Sequence, residues 1–94
     1  MSTAQEKTSA LIAALWHKNR PIVEERVAVL AAGNADHTAM LEAAHKLSGA
    51  LGMYGFPEAS AIASQIESAL RSGDTTRIPE LVAALRAAIP PSKD

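Results

Sequence analysis

Apolar residues recur along this chain at intervals of three and four, the spacing that places them on one face of an α-helix. Four segments show this spacing, at about residues 5–32, 36–54, 57–71 and 75–88. Turn-forming residues separate them, namely Gly33-Asn34, Gly55 and Ser72-Gly73-Asp74. The runs of β-branched and aromatic residues that strands require are missing. The pattern therefore predicts an all-α protein.

Short turns between successive helices favour antiparallel neighbours, so we expect an antiparallel up-down four-helix bundle. The apolar line of each helix is then expected to face the common axis. The predicted core consists of Leu11, Ile12, Leu15, Trp16, Ile22, Val23, Val27 and Leu30 in the first helical region, Met40, Ala43, Leu47, Ala50, Leu51 and Tyr54 in the second, Ala59, Ile62, Ala63, Ile66 and Leu70 in the third, and Ile78, Leu81, Val82, Leu85 and Ile89 in the fourth.

The first helical region is long for a globular domain, and Arg20-Pro21 interrupts it. Proline removes a backbone hydrogen bond and clashes with the preceding turn of a helix. We therefore expect either one kinked helix or two segments, with Pro21 in the first turn of the second. Ser2 or Thr3 is expected to cap its start, with Glu6 completing a capping box after Thr3. Pro90-Pro91 is expected to end the last helix.

Length and composition narrow the class of protein. Ninety-four residues make a single domain, which we expect to have a helical core over about residues 5–89 and a tail over 90–94. Cysteine is absent, which excludes disulfides and thiolate metal sites. The net charge is −1 with both signs interspersed, which argues against a nucleic-acid partner. No apolar run is long enough for a membrane span, and no signal peptide is evident, so we expect a cytoplasmic protein.

One face of the second helix is nearly bare around a single histidine. On a helix of 3.6 residues per turn, Ser48, Gly49 and Gly52 fall within about 60° of His45, opposite the apolar line. A glycine in a helix interior costs about 1 kcal/mol relative to alanine. Close approach of another molecule to the imidazole explains the glycines most simply, and tight packing against a neighbouring helix or a helix end is the alternative.

Metal and hydrolytic chemistry fit this sequence poorly. His17, His37 and His45 lack the i, i+4 spacing that places two imidazoles on one metal, so we predict no metal site. Ser48 lies three residues from His45, but the convex surface of a small bundle offers no oxyanion hole. An exposed imidazole can instead act as a nucleophile itself and become a phosphohistidine.

A phosphorylated histidine needs cations nearby and a group that orients its ring. Lys46 follows His45 directly, and Arg71 lies one turn after Glu67 on the next helix. If that face borders His45, Arg71 supplies a second cation and Glu67 orients the ring. An ordinary surface ion pair between Glu67 and Arg71 is the alternative interpretation.

The sequence Ala44-His45-Lys46-Leu47-Ser48-Gly49, followed by Gly55 and Glu67, resembles the histidine-containing phosphotransfer (HPt) domain of two-component phosphorelays. The tract 51–58 is similar to a subset of that family with an aromatic-glycine-phenylalanine link. The motif covers about residues 43–67, and the helical pattern extends the resemblance over most of the chain.

The resemblance implies that His45 accepts a phosphoryl group from an aspartyl phosphate on a receiver domain and passes it to another receiver. Gly49 would leave room for the phosphorylated loop. Receiver domains of response regulators or a hybrid histidine kinase are the implied partners. The chain itself is expected to be a monomer without a cofactor or catalytic activity of its own, with Mg²⁺ held by the partner.

Ser48 departs from the family, because many members have lysine at that position. Lys46 can replace that charge, or the Ser48 hydroxyl can donate a hydrogen bond to phosphate. The departure keeps a second function open. In that alternative the chain is a helical docking or dimerisation module that is never phosphorylated.

Overall fold

The computed structural model of the chain describes residues 3–33 and 36–90, with side chains from residue 10 onward. It contains the helices α1 (Thr3–Ala32), α2 (His37–Met53), α3 (Pro57–Ser72) and α4 (Ile78–Ala88). A short 3-10 helix, Thr75–Arg77, leads directly into α4. These ranges contain no strand, which confirms the all-α prediction. The predicted capping box and the tail after Pro90 lie outside the described residues and side chains.

The long first helix is continuous. α1 runs through Pro21 without interruption, so the alternative of two separate segments is wrong. A kink at Pro21 stays a prediction. Thirty residues at about 1.5 Å each give α1 a length of about 45 Å, against about 26 Å for the seventeen residues of α2.

Capping and turn residues close in the sequence set the ends of the other helices. These ends lie near the positions predicted from the sequence. The carboxylate of Asp36 accepts a hydrogen bond from the Ala39 backbone N–H at 2.7 Å and so caps α2. Gly73, with a φ of 79°, ends α3 in the left-handed conformation that glycine adopts without strain. Pro57 and Pro79 occupy the first turns of α3 and α4, where a missing N–H breaks no helical hydrogen bond.

The core draws on all four helices. Most of the predicted core residues are buried, and the largest fully buried side chains are Val23, Leu30, Leu47, Leu51, Ile66, Leu70 and Leu85. Others of the predicted set are only partly buried, namely Ile12, Trp16, Ala50, Ile62 and Ile89. Ala44 and Ala69, which are not in the predicted set, are buried as well.

Three core predictions on α1 are wrong. Leu11, Leu15 and Ile22 are 65%, 43% and 46% exposed. α1 is longer than the helices it packs against, and these three residues lie on a line that is turned away from the buried line. The bundle therefore covers only one of the two apolar lines on this helix.

The helices pack in a closed order. α1 contacts α2, α2 contacts α3, α3 contacts α4, and α4 contacts α1 again. Within the described ranges, no Cα atom of α1 lies within 8 Å of a Cα atom of α3. Near the α2–α3 link, the Trp16 ring lies 5.5 Å from Tyr54 and 4.9 Å from Phe56, between centroids. Arg20 lies over Trp16 and donates a hydrogen bond to the Pro90 carbonyl at 2.7 Å. No helix among the described residues is long and apolar enough to cross a membrane.

Candidate functional site

His45 projects into solvent from the middle of α2. Its side chain is 73% exposed, while its neighbours Ala44 and Leu47 are completely buried. The buried neighbours hold the backbone of this turn against the core, so the position of the imidazole is set by a rigid element. The exposure predicted from the helical pattern is therefore present in the structure.

Glu67 on α3 lies beside the histidine ring. The His45 Nδ1 atom is 3.2 Å from Glu67 Oε2 and 3.4 Å from Oε1. Arg71, one turn later on α3, donates to the same Oε2 from Nη2 at 2.8 Å and from Nε at 3.3 Å. The structure thus joins His45, Glu67 and Arg71, which the sequence separates by up to 26 positions. Glu67 contacts the His45 ring, as the first interpretation of this residue predicts, and it also forms the ion pair with Arg71 that the alternative interpretation predicts.

The electrostatics of Glu67 determine which ring nitrogen of His45 is free. The hydrogen bond from Arg71 is the main cause that lowers the pKa of Glu67 below its ordinary value of 4.5, and it outweighs partial burial, which acts to raise the pKa. Glu67 is therefore ionised at neutral pH and can only accept hydrogen bonds. Its partner Nδ1 must then carry the proton, which leaves the lone pair of the neutral ring on Nε2.

The two glycines beside His45 have different surroundings. A Cβ atom added to Gly49 would have no neighbour within 4 Å, so the surface there is open. A Cβ atom added to Gly52 would lie 3.3 Å from the Ser60 Oγ on α3, closer than most contacts of real Cβ atoms. Gly49 matches the hypothesis of free access to the imidazole. Gly52 matches the alternative of close helix packing.

Ser48 is tied to α3 by two hydrogen bonds. Its hydroxyl lies 2.6 Å from the Ser64 hydroxyl, and its carbonyl oxygen accepts from the Ser60 hydroxyl at 2.6 Å. Ser60 and Ser64 are not among the predicted site residues. A signal for them was available, because serine recurs at every fourth position of α3, at residues 60, 64, 68 and 72, and so forms a polar line on one face.

Lys46 has its own partner on α2. Its Nζ atom lies 3.6 Å from Glu42 Oε1, and both side chains are largely exposed. An exposed pair of this kind contributes about 0–1 kcal/mol, so the ammonium group can leave Glu42 at little cost. The structure places Lys46 on the solvent face of α2 and shows no contact between its ammonium and the His45 ring among the described residues.

The His45 side chain is open to solvent. A depression of about 820 Å³ lies elsewhere, between the end of α1, the start of α2 and α4, and is lined by residues that include Leu30, His37, Met40, Val82 and Arg86. Among the described side chains, at residues 10–33 and 36–90, no three histidine, aspartate or glutamate groups come together as a metal site would require. The arrangement suits covalent chemistry at an open nitrogen, with the other reactant supplied by a second molecule.

A bundle of helices that holds one exposed histidine against a carboxylate has the form of a phosphoryl-carrying module. In agreement, a family model described as the Hpt domain matches residues 1–90. The chain belongs to the Hpt domain family. Hpt domains serve histidine phosphotransfer in phosphorelays, where they work with receiver domains and histidine kinases. Comparisons with curated proteins and with solved structures gave no match.

Proposed function

We propose that His45 accepts a phosphoryl group from the aspartyl phosphate of one receiver domain and passes it to the aspartate of another. The observation that carries this proposal is the contact between His45 Nδ1 and the ionised Glu67. It supports a ring whose nucleophilic nitrogen is Nε2, on a side chain that is mostly exposed. Family membership supports the general reaction, and the choice of residue rests on this geometry.

The transfer step follows from the proton position. The Nε2 lone pair forms a bond to phosphorus, and the bond between phosphorus and the aspartyl oxygen breaks, with its electron pair leaving on the carboxylate. The Nδ1 proton stays in its hydrogen bond to Glu67 throughout. The ring becomes positively charged when it is phosphorylated on Nε2, and the negative charge of Glu67 stabilises that form. Transfer to the second receiver is the reverse of this step.

The docking face comprises His45 and the small or flexible groups around it. The open surface at Gly49 gives an aspartyl phosphate loop room to approach. Met53, two turns after His45, is 58% exposed and offers adaptable apolar contact. Lys46 and Arg71 are the cations that flank the phosphate. We assign the Mg²⁺ of the reaction to the acidic residues of the receiver. The Ser48 hydroxyl can donate a hydrogen bond to phosphate while it accepts one from the Ser64 hydroxyl.

Three further properties belong to this proposal. The helices alternate in direction, as short links between packed helices favour. The chain has no catalytic activity of its own, because the activated phosphate comes from the receiver. It acts as a monomer while it is bound to a receiver domain.

The test is phosphate uptake from a phosphorylated receiver domain by the wild-type chain, by His45→Gln and by His37→Gln. His37 is an exposed histidine on the same helix and so provides a matched control. Acid-labile, alkali-stable label on wild type and on His37→Gln, but not on His45→Gln, is the expected result. The phosphorus–nitrogen coupling in the NMR spectrum of the labelled protein should identify Nε2.

Label on His45→Gln would show that the site is wrongly assigned. Absence of label from the wild-type chain with several receivers would favour the alternative function, a docking or dimerisation module that is not phosphorylated. Circular dichroism of each variant distinguishes loss of the site from loss of the fold.

A further inference from the structure

A second line of apolar side chains runs along the solvent side of α1. Three of the four large apolar side chains that are exposed in the described part of the chain lie on this helix, namely Leu11, Leu15 and Ile22. At about 100° per residue they fall within about 40° of one another. Val29 falls on the same line and is partly buried, because it also packs against the core. The buried line of α1, formed by Val23, Val27 and Leu30, is turned from it by roughly 100°.

Two opposite charges are placed symmetrically within this line. Lys18 lies between Leu15 and Ile22, and Glu25 lies between Ile22 and Val29. Both are exposed, and neither forms an ion pair with another residue that the structure describes. From Leu15 to Val29, apolar and charged positions alternate, and reversing this segment exchanges the positions of Lys18 and Glu25. Such a line is complementary to a reversed copy of itself.

We propose that two copies of the chain pair through this line, with their α1 helices antiparallel about a two-fold axis between Pro21 and Ile22. At about 1.5 Å per residue, Lys18 is level with Glu25 of the second copy, and Ile22 meets Ile22 at the axis. Leu15 then lies within about 1.5 Å of the level of Val29 of the second copy. The two-fold symmetry forms the Lys18–Glu25 ion pair twice, the Leu15–Val29 contact twice and the Ile22–Ile22 contact once. Because one surface supplies both sides of every contact, we favour a second copy over another partner.

The area that the two copies would bury is small, so their affinity for each other is low. From Leu11 to Val29 the line is about 27 Å long, and a helix is about 10 Å wide, so each copy buries a few hundred Å². Stable interfaces bury roughly 800 Å² on each partner. The dimer is therefore weak, and the monomer expected from the sequence predominates in dilute solution. The proposal does not depend on phosphotransfer.

Sedimentation equilibrium at chain concentrations between about 10 µM and 2 mM tests the proposed dimer. The test uses variants in which the charge at position 18 or position 25 is reversed. Lys18→Glu and Glu25→Lys each replace both ion pairs by like charges, so each variant alone should show a Kd raised roughly tenfold or more. An equimolar mixture of the two variants should associate as the wild type does. The Lys18→Glu chain is acidic at positions 18 and 25, the Glu25→Lys chain is basic at both, and a mixed dimer therefore restores both ion pairs. Glu80→Lys, an exposed change of the same charge on α4, is the control and should leave the Kd unchanged.

Three results would overturn the proposal. They are a wild-type chain that stays monomeric to about 2 mM, a Kd that is indifferent to the charge variants, and a mixture that fails to associate. Ile22→Ser tests separately which partner the line contacts. Because Ile22 is exposed, this substitution should leave the fold intact. If Ile22→Ser leaves sedimentation unchanged but slows phosphate uptake, the line contacts the receiver domain and not a second copy.

Discussion

Gly49 is the position where stability and phosphotransfer are expected to change in opposite directions. It lies inside α2, and a Cβ atom there would meet nothing within 4 Å. Alanine at an unobstructed helical glycine removes a conformational entropy cost of about 0.5–1 kcal/mol. In a domain of this size, 1 kcal/mol corresponds to about 4–8 °C in Tm. Gly49→Ala should therefore raise Tm by roughly 2–8 °C.

Gly52→Ala is the matched comparison, on the same helix. Its Cβ would lie 3.3 Å from Ser60 Oγ, the hydroxyl that also donates to the Ser48 carbonyl. Part of the entropy gain is then lost in moving Ser60, and Gly52 lies in the last turn of α2, where helix propensity counts for less. Thermal melts followed by circular dichroism should rank Gly49→Ala above Gly52→Ala in Tm.

Gly49→Leu completes the series, because it keeps the gain in helix propensity and fills the space beside His45. A misplacement of about 1 Å between reacting groups can cost about 100-fold in rate, and we expect a loss of that order in phosphate uptake. A lower Tm for Gly49→Ala would mean that the surface at Gly49 is not open. Normal phosphate uptake by Gly49→Leu would refute the steric role of the glycine.

Three further predictions concern the Asp36 cap of α2, the core residue Ile66 and the loss of stability at acidic pH. Asp36→Ala removes the hydrogen bond to Ala39 and should lower the free energy of unfolding by about 0.5–2 kcal/mol in urea titrations, with phosphate uptake unchanged. Ile66→Ala leaves a cavity at a fully buried position and should cost about 2–5 kcal/mol by the same measurement. The pKa of Glu67 is lowered in the folded chain, so its contribution to stability is complete above its ordinary pKa and is lost as the pH falls through the folded value. Arg71→Gln removes the main cause of that lowering, so the fall in the free energy of unfolding between pH 7 and pH 3 in urea titrations should be smaller than in the wild type. An unchanged profile would contradict this.

The helix bounds and the exposure of His45 could be predicted because each depends on neighbours in the sequence. The Asp36 cap and the Gly73 turn are signals that act within a few residues. The exposure of His45 follows from its angle to the apolar line of a single helix. Such properties need no knowledge of which helices meet.

The two lines of α1 could not be distinguished in the same way. Leu15 and Val23 both fit a helical apolar pattern, and only the packing of the other helices decides which one is covered. The hydrogen bond between Ser48 and Ser64 and the packing of Gly52 also depend on the register between α2 and α3. That register is a tertiary property, set by side chains distant in the sequence.

The position of the whole site on α2 and α3 has a consequence for folding. These helices are joined by only three residues, Tyr54, Gly55 and Phe56, and the entropy lost in closing a link grows with its length. In contrast, the hydrogen bond from Arg20 to Pro90 spans 70 positions and must form after a much larger closure. We therefore expect the α2–α3 pair to form early and the first half of α1, with its exposed leucines, to show the fastest amide hydrogen exchange among the helices. The geometry of His45 and Glu67 would then be assembled before the fold is complete and would persist when α1 opens locally.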